Sequence, residues 1–525
     1  MRRSRREFLA DVGRGMLVAG VGLSTAVDLG LSPAAVVEGA EANALTFGNL
    51  ESLVCLMQET QVNKLLPTLV EKLRTGTELK QLVAAAALAN ARTFGGEDYI
   101  GFHTMMAMTP AYQMALELPK EQQALPVLKV LYRNTNRIHE FGGRTKEVLH
   151  PITAGSLPTG TEPTGTESGD AVRNAVHGKN VNIAEQTFAA VATSPEEAFN
   201  SVLHAVQDNT EVHRVVLPYR AYALLDLVGS DQALTMLRQS VRYCVKSEQR
   251  DNRSAEFDRP RSLLPKVFDQ HKLVGRTPGT RVPDDAWVEA FSQSLFKSTP
   301  DQAADAAGAA LADGIAPDAI CEAISLAANQ LVLRDSGRRP GEISAGKPVG
   351  SVHGDSIGVH ASDSANAWRN MVKFSNARNQ FACTILGAFQ VAYDRINRGG
   401  DFLAWQPRPH TEHLEKITSR DANVLLQEAD SAIRANDQAR AAALIHLCGE
   451  LKHSPRPVLD LLLKYAISED GALHAEKYYR TAAEEFANTR QPFRWRQLTA
   501  LARVTASEFG NPAAGCDEAM ELLKA

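Results

Sequence analysis

The chain has 525 residues, a formal net charge of -5 and 22% charged residues. This length is too great for one compact core, and it predicts two to four domains or one long repeat array. The slight excess of acidic residues argues against a nucleic-acid-binding protein, which would carry a concentrated basic face. Aromatic residues make up only 6% of the chain and alanine is abundant, which favours packed helices over sheets.

The first 44 residues are similar to an export signal. Residues 4–9 read Ser-Arg-Arg-Glu-Phe-Leu, which resembles the twin-arginine motif, and a short apolar stretch and small residues follow. We therefore expect a signal peptide at 1–44 and export by the twin-arginine translocation machinery to the periplasm or another extracytoplasmic compartment. That route carries folded proteins, often with a cofactor inserted, which favours a metal or organic cofactor. No apolar run after residue 45 is long enough to predict a transmembrane helix.

The mature chain is predicted to consist of helical modules. Ser194 and Thr299 each precede a proline and an acidic residue, as N-caps do, and Gly95 and Gly142 are typical helix ends. A stretch rich in Gly, Thr and Pro predicts a linker that does not pack. The predicted divisions are helical module 1 at 45–153, a low-complexity linker at 154–182, module 2 at 183–283, module 3 at 284–400 and a C-terminal helical module at 401–525.

An aspartate stands five residues before a histidine three times, where about one such match is expected by chance. A fourth, looser copy has one residue fewer. Each of the first three copies follows an apolar helix and precedes a helix rich in alanine and aromatic residues. This predicts an all-α fold, a helical-hairpin repeat array of three to four diverged copies packed around a His-lined interior. The pairs are Asp98 with His103, Asp208 with His213, Asp355 with His360 and Asp470 with His474.

Residues five apart on a helix differ by about 140°, so the aspartate and the histidine do not share a face. The aspartate suits the N-cap, and the histidine then lies about one turn inside. If the copies face one another, His103, His213 and His360 converge as ligands of Fe, Zn or Cu, since neutral imidazole binds these metals. Alternatively, each is an independent core histidine. Whether His139 and His474 join the site stays open.

The third copy is the richest in reactive groups. His353 precedes it, and Asp363 lies three residues after His360, on the same helical face. We expect His353 and Asp363 to be catalytic acid–base groups or partners of the metal ligands. An aromatic residue follows each histidine by eight or nine positions, and these residues are expected to line the pocket. They are Tyr112, Tyr222 and Trp368.

The mature chain contains no P-loop and no G-x-G-x-x-G motif, so no nucleotide cofactor is predicted. It also contains no C-x-x-C-H pattern for covalent attachment of haem. Two segments resemble the questin-oxidase-like family: Phe102-His103 through Ala111-Tyr112, and Val359-His360 through Ala367-Trp368-Arg369. That family is associated with Baeyer–Villiger-type oxygen insertion into aromatic polyketides. The resemblance covers about a tenth of the chain, and it implies an oxidative enzyme with a His-lined interior but no particular substrate.

The sequence thus predicts an exported metal-dependent enzyme, an oxidoreductase of monooxygenase type that acts on a small molecule. Two alternatives remain open. One is a non-catalytic helical binding scaffold of the TPR or HEAT type, in which the histidines are structural. The other is a metal-dependent hydrolase that uses the same ligands.

Overall fold

The computed structural model describes residues 44–157, 165–250, 258–397 and 401–524. The predicted signal peptide lies outside these residues. The all-α prediction is confirmed, since only isolated β-bridges accompany the helices in the described part of the chain. The helices are α1 Glu51–Glu59, α2 Val62–Arg74, α3 Leu79–Phe94, α4 Tyr99–Leu116, α5 Ala124–Phe141, α6 Gly165–His177, α7 Val181–Val191, α8 Pro195–Val206, α9 Val212–Ala223, α10 Leu225–Val228, α11 Ala233–Gln249, α12 Arg259–Gln270, α13 Asp285–Lys297, α14 Pro300–Ala312, α15 Pro317–Arg334, α16 Ile357–Phe374, α17 Ala377–Asn397, α18 Thr411–Leu414, α19 Ala422–Arg434, α20 Gln438–Glu450, α21 Pro455–Ser468, α22 Ala475–Asn488, α23 Trp495–Glu508 and α24 Cys516–Lys524.

The helix boundaries follow local chemistry. Ser194 and Thr299 are N-caps whose hydroxyls accept backbone N–H groups, and a proline follows each of them. Gly95 and Gly142 end α3 and α5 in the left-handed conformation, which glycine adopts without steric cost. These predicted starts and ends are confirmed.

The predicted linker at 154–182 is wrong from residue 165 onward. Helix α6 begins there and packs against α8. Ser168 and Val172 are fully buried on its inner face. Thr, Gly and Ser dominate the first turn, so composition alone does not predict a helix there. The apolar residues that follow at helical spacing are sufficient to bury one side of α6.

Helices α4, α9, α16 and α22 form a ring in which each contacts its two neighbours. One large cluster of buried apolar side chains runs through the described helices and surrounds this ring. The six cysteines are free thiols. None of the described helices combines the length and the apolar character that crossing a bilayer requires.

Two glycines let the ring helices pack closely near their N-termini. A Cβ atom on Gly101 would lie 2.5 Å from the Phe94 ring, and one on Gly358 would lie 2.7 Å from the backbone nitrogen of Val332. Both glycines stand two residues before a repeat histidine. They therefore fix the distance of α4 from α3 and of α16 from α15 where the histidine side chains begin.

Candidate functional site

Four histidines meet at the centre of the helix ring, one from the N-terminal end of each helix. His103, His213 and His360 lie in the first turns of α4, α9 and α16, and His474 is the N-cap of α22. The ring centroids of neighbouring histidines are 4.7 to 6.0 Å apart around the circle. The structure thus brings the three predicted ligands together and adds the fourth, looser repeat copy.

His103 is fully buried and its orientation is fixed by its own helix. Its Nδ1 lies 2.7 Å from the backbone carbonyl of Tyr99, which can only accept a hydrogen bond. Nδ1 therefore carries the proton and Nε2 presents a lone pair to the centre. Burial lowers the pKa of His103 far below its usual range, and the positive charge of Lys477 acts in the same direction.

His213 is oriented by a carboxylate. Its Nδ1 lies 2.5 Å from Glu211 Oε1, and Glu211 Oε2 accepts hydrogen bonds from the Tyr243 hydroxyl and the Arg214 backbone N–H. Burial raises the pKa of Glu211, but the neighbouring His213 and the hydrogen bond from Tyr243 outweigh it and lower that pKa to about 2. Glu211 is thus an acceptor, and His213 donates through Nδ1 to it. A carboxylate behind an imidazole is the common outer partner of a histidine ligand.

The inner nitrogens of these two histidines face each other. His103 Nε2 and His213 Nε2 are 3.2 Å apart. If both rings are neutral, each has one proton, and both protons are used in the outer hydrogen bonds to Tyr99 and Glu211. Two lone pairs would then oppose each other in a buried site, which is unfavourable unless a proton or a metal ion lies between them.

The second pair repeats this arrangement. His360 Nε2 and His474 Nε2 are 3.0 Å apart. Burial lowers the pKa of His360 to about 3, and the positive charge of Lys477 contributes. Burial also lowers the pKa of Lys477, one turn after His474, to about 8. The surroundings therefore oppose protonation of His103 and His360.

The spacing within each histidine pair fits two ligands of one metal ion. Two imidazoles on one tetrahedral ion have nitrogens about 3.3 Å apart, from bond lengths of about 2.0–2.1 Å. The nitrogen separations within the two pairs are close to this value, but no three ring nitrogens of the four histidines all lie within 4.8 Å of one another, so the pairs have to approach each other before one ion can bind all four. The donor set, imidazole alone, suits Fe, Cu or Zn.

The four histidines form two close pairs rather than a closed set. In the described part of the chain, the trio of ligand atoms that all lie within 4.8 Å of one another belongs to His410, Glu412 and His413. That trio lies at the one-turn helix α18 and is partly exposed, so water can hydrogen-bond to its imidazoles. We regard the buried ring as the better site because His103 and His213 are already oriented inward by their outer hydrogen bonds.

The ring of helices also shapes the electrostatics of the centre. The N-terminal ends of α4, α9, α16 and α22 carry the histidines and so lie around it, and each such end carries a partial positive charge. This field stabilises negative charge on a molecule bound at the centre, and it disfavours protonation of the imidazoles.

Two small cavities adjoin the centre. The His103 cavity has room for about one water molecule and is also lined by Lys129, Asp470 and Glu476. The His474 cavity has room for one or two water molecules and is also lined by Glu508. On the solvent side, Tyr99 is 57% exposed and lies against the rings of His103 and His213.

The predicted acid–base groups, His353 and Asp363, are buried but are not in the ring of four histidines. His353 is buried, and its Nδ1 lies 3.1 Å from Glu508, which lines the His474 cavity. Asp363 is buried and accepts a hydrogen bond from Thr481. Burial raises the pKa of Asp363, and the positive charge of Lys477 opposes that shift. Neither residue is among the ring contacts of the four histidines.

The aromatic residues predicted to line the pocket, Tyr112, Tyr222 and Trp368, are not among the described ring contacts of the four histidines. Tyr112 and Trp368 stand nine and eight residues after their histidines, which is about 12–14 Å along a helix. Trp368 is fully buried and donates to Gln390, and Tyr222 stacks on Phe199. The aromatic neighbours are Tyr99 and Phe102, which contact both His103 and His213. Both precede His103 by four residues or fewer, so the turn before that histidine, rather than the two turns after it, carries the signal.

The sequence analysis left open whether His474 and His139 join the site, and the structure gives a different answer for each. His474 is a full member of the ring, within 3.0 Å of His360. His139 lies in the last turn of α5, and its buried Nε2 has no hydrogen-bond partner among the described residues.

The comparisons with known proteins found no match. No family model, no curated protein and no solved structure is similar to this chain. The resemblance to the questin-oxidase-like family therefore stays a prediction, and any function has to be argued from the site itself.

Proposed function

We propose that the four histidines bind one transition-metal ion and that the protein is an oxidoreductase acting on a small molecule. The observation that carries this proposal is the 3.2 Å separation of His103 Nε2 and His213 Nε2. Their outer nitrogens are already engaged by Tyr99 and Glu211, so the inner lone pairs need a cation. His360 and His474 complete the ligand set. The ion is Fe, Cu or Zn by ligand type, and Fe or Cu if the metal itself carries the electrons, since Zn²⁺ has no redox chemistry.

In this proposal the chain's own residues orient the ligands and control access. Tyr99 and Glu211 hold His103 and His213 in the tautomers that direct Nε2 inward. When bound, a redox-active metal supplies one-electron chemistry with small oxidants or substrates. The surrounding helix N-termini stabilise negative charge that develops on the substrate.

The carboxylates around the centre favour oxidation over hydrolysis. A hydrolase needs a free base beside the metal, but Glu211 is held by three donors and its pKa is lowered to about 2. In the His103 cavity, Glu476 is paired with Lys129 and Asp470 is paired with Arg133. None of these three carboxylates is therefore a free general base, whereas electron transfer to a His-bound metal needs none.

The proposal includes export. The ordered basic, apolar and small-residue regions of residues 1–44 support a twin-arginine signal. The buried ring is consistent with a cofactor that is inserted during folding in the cytoplasm, before translocation. The expected location is the periplasm or another extracytoplasmic compartment.

Metal analysis of the mature protein, purified from the exported fraction, tests the proposal. We expect about one Fe or Cu per chain, and loss of most of it in His213→Ala and His360→Ala. The matched control is the double variant His410→Ala/His413→Ala, which removes the exposed trio and should leave the tightly bound metal unchanged. If the control loses the metal and the ring variants keep it, the ring is a structural feature of a binding scaffold.

A further inference from the structure

A second cleft lies away from the histidine ring. It is bounded by α6, α8, α12 and the first turn of α17, and its volume is about 1410 Å³ including the space open to solvent. Part of the lining is polar and includes Arg173, His204 and Arg378. The rest is apolar and includes Leu264, Phe268 and the largely exposed Val274. This mixed lining indicates a ligand with one charged end and one apolar body.

Most charges in the cleft already have partners. Asp208 is held by Arg173 and by His177, whose Nε2 lies 2.5 Å from it. Asp170 lies 3.0 Å from His204 Nδ1. These pairs neutralise one another, so they give the cleft a fixed shape rather than a free charge.

Arg378 differs from these groups. Its guanidinium donates to the side-chain oxygens of Gln207 and Asn379 and lies over the Phe268 ring at 5.9 Å. Among the described residues, no carboxylate is hydrogen-bonded to it. Burial lowers the pKa of Arg378, as expected for a cation whose charge is not matched by a direct partner. An anionic ligand would supply that partner.

We propose that this cleft binds an amphipathic organic anion, a carboxylate with an aliphatic or aromatic body, through Arg378. The planar guanidinium pairs with a carboxylate through two parallel hydrogen bonds. The body of the ligand lies against Leu264, Phe268 and Val274. This inference does not rest on the metal centre, since none of the four ring histidines lines the cleft.

Isothermal titration calorimetry with octanoate, octan-1-ol and inorganic phosphate on the mature chain tests the proposal. We expect octanoate to bind, and octan-1-ol and phosphate to bind at least about tenfold more weakly. Octan-1-ol lacks the negative charge that Arg378 recognises, and phosphate lacks the apolar body. Arg378→Gln should weaken octanoate binding about tenfold or more, and Arg378→Lys should weaken it less.

Two further variants separate binding from folding. Val274 is 74% exposed, so Val274→Asp should leave the fold intact and still weaken octanoate binding. Arg434→Gln, at the exposed end of α19, is the charge-matched control and should bind as the wild type does. Unchanged octanoate binding in both Arg378→Gln and Val274→Asp would overturn the proposal, and so would equal binding of octan-1-ol or tighter binding of phosphate.

Discussion

His103 Nε2 lies 3.2 Å from His213 Nε2, although the two residues are 110 positions apart in the chain. The Nδ1 atom of each histidine is within hydrogen-bond distance of an acceptor, which is the Tyr99 carbonyl for His103 and the Glu211 carboxylate for His213. Two imidazoles fixed in this way, in a ring with His360 and His474, are preorganised to bind the proposed metal ion.

Glu211 should control metal affinity without touching the metal. Glu211→Gln keeps the shape of the side chain but removes the charge that supports His213. We expect metal affinity to fall about 10- to 100-fold, as for other outer partners of ligating histidines. Competition with a chelator of known affinity measures it. Tyr243→Phe, which removes one donor to Glu211, should have a smaller effect in the same direction, and equal affinities in all three proteins would contradict the assignment.

Asp208 should contribute to stability in mild acid. Burial raises its pKa, but the hydrogen bonds from His177 and Arg173 outweigh this and lower it to about 2. The unfolded carboxyl has a pKa of 3.8, so between these values the unfolded state binds more protons. The contribution, about 2 kcal/mol, is therefore present above pH about 4 and is lost as the pH falls towards 2.

Urea unfolding of the wild type and of Asp208→Asn across this pH range measures that contribution. The free energy of unfolding of the wild type should fall more steeply with decreasing pH than that of the variant. Parallel curves would show that Asp208 has no shifted pKa in the folded protein.

Trp368 should matter for stability and not for metal binding. Trp368→Phe removes the indole that donates to Gln390 and leaves a buried acceptor without a partner. We expect a loss of about 1–3 kcal/mol in the free energy of unfolding. Metal content should not change, because Trp368 lies about 12 Å along α16 from His360. A loss of metal with unchanged stability would restore the pocket role predicted from the sequence.

Export is tested by the arginine pair. Replacement of Arg5 and Arg6 by lysine should hold the precursor in the cytoplasm, because the translocation receptor recognises both arginines. Cell fractionation with immunodetection measures this. The same experiment on a precursor with Arg2 and Arg3 replaced by lysine is the charge-matched control, and it should be exported.

The sequence was most informative where local chemistry decides the structure. The spacing of aspartate and histidine identified three of the four ring histidines, because each copy places its histidine at a helix N-terminus. Asp98 is the N-cap of α4, as predicted. In the other two close copies the prediction is wrong, since Glu211 and Ser356 are the N-caps, while Asp208 and Asp355 pair with cations instead.

The rest depended on tertiary contacts. His474 appeared to be a weaker copy because one residue is missing, yet as the N-cap of α22 it reaches the same centre. Glu211 stands two residues before His213 but lies outside the aspartate–histidine pattern. Its hydrogen bond to His213 Nδ1 becomes evident only in the folded structure. The cleft at Arg378 joins segments from distant parts of the chain, Arg173 on α6 among them. No local pattern predicts such a meeting.

X-ray absorption spectroscopy of the metal-loaded protein tests the central claim most directly. The account predicts a first shell that contains four imidazole nitrogens at about 2.0–2.1 Å, with the outer-ring scattering typical of histidine. In His474→Ala this number should fall by one. A shell made mainly of oxygen or sulfur, or one that His213→Ala leaves unchanged, would contradict a metal centre built from the four histidines.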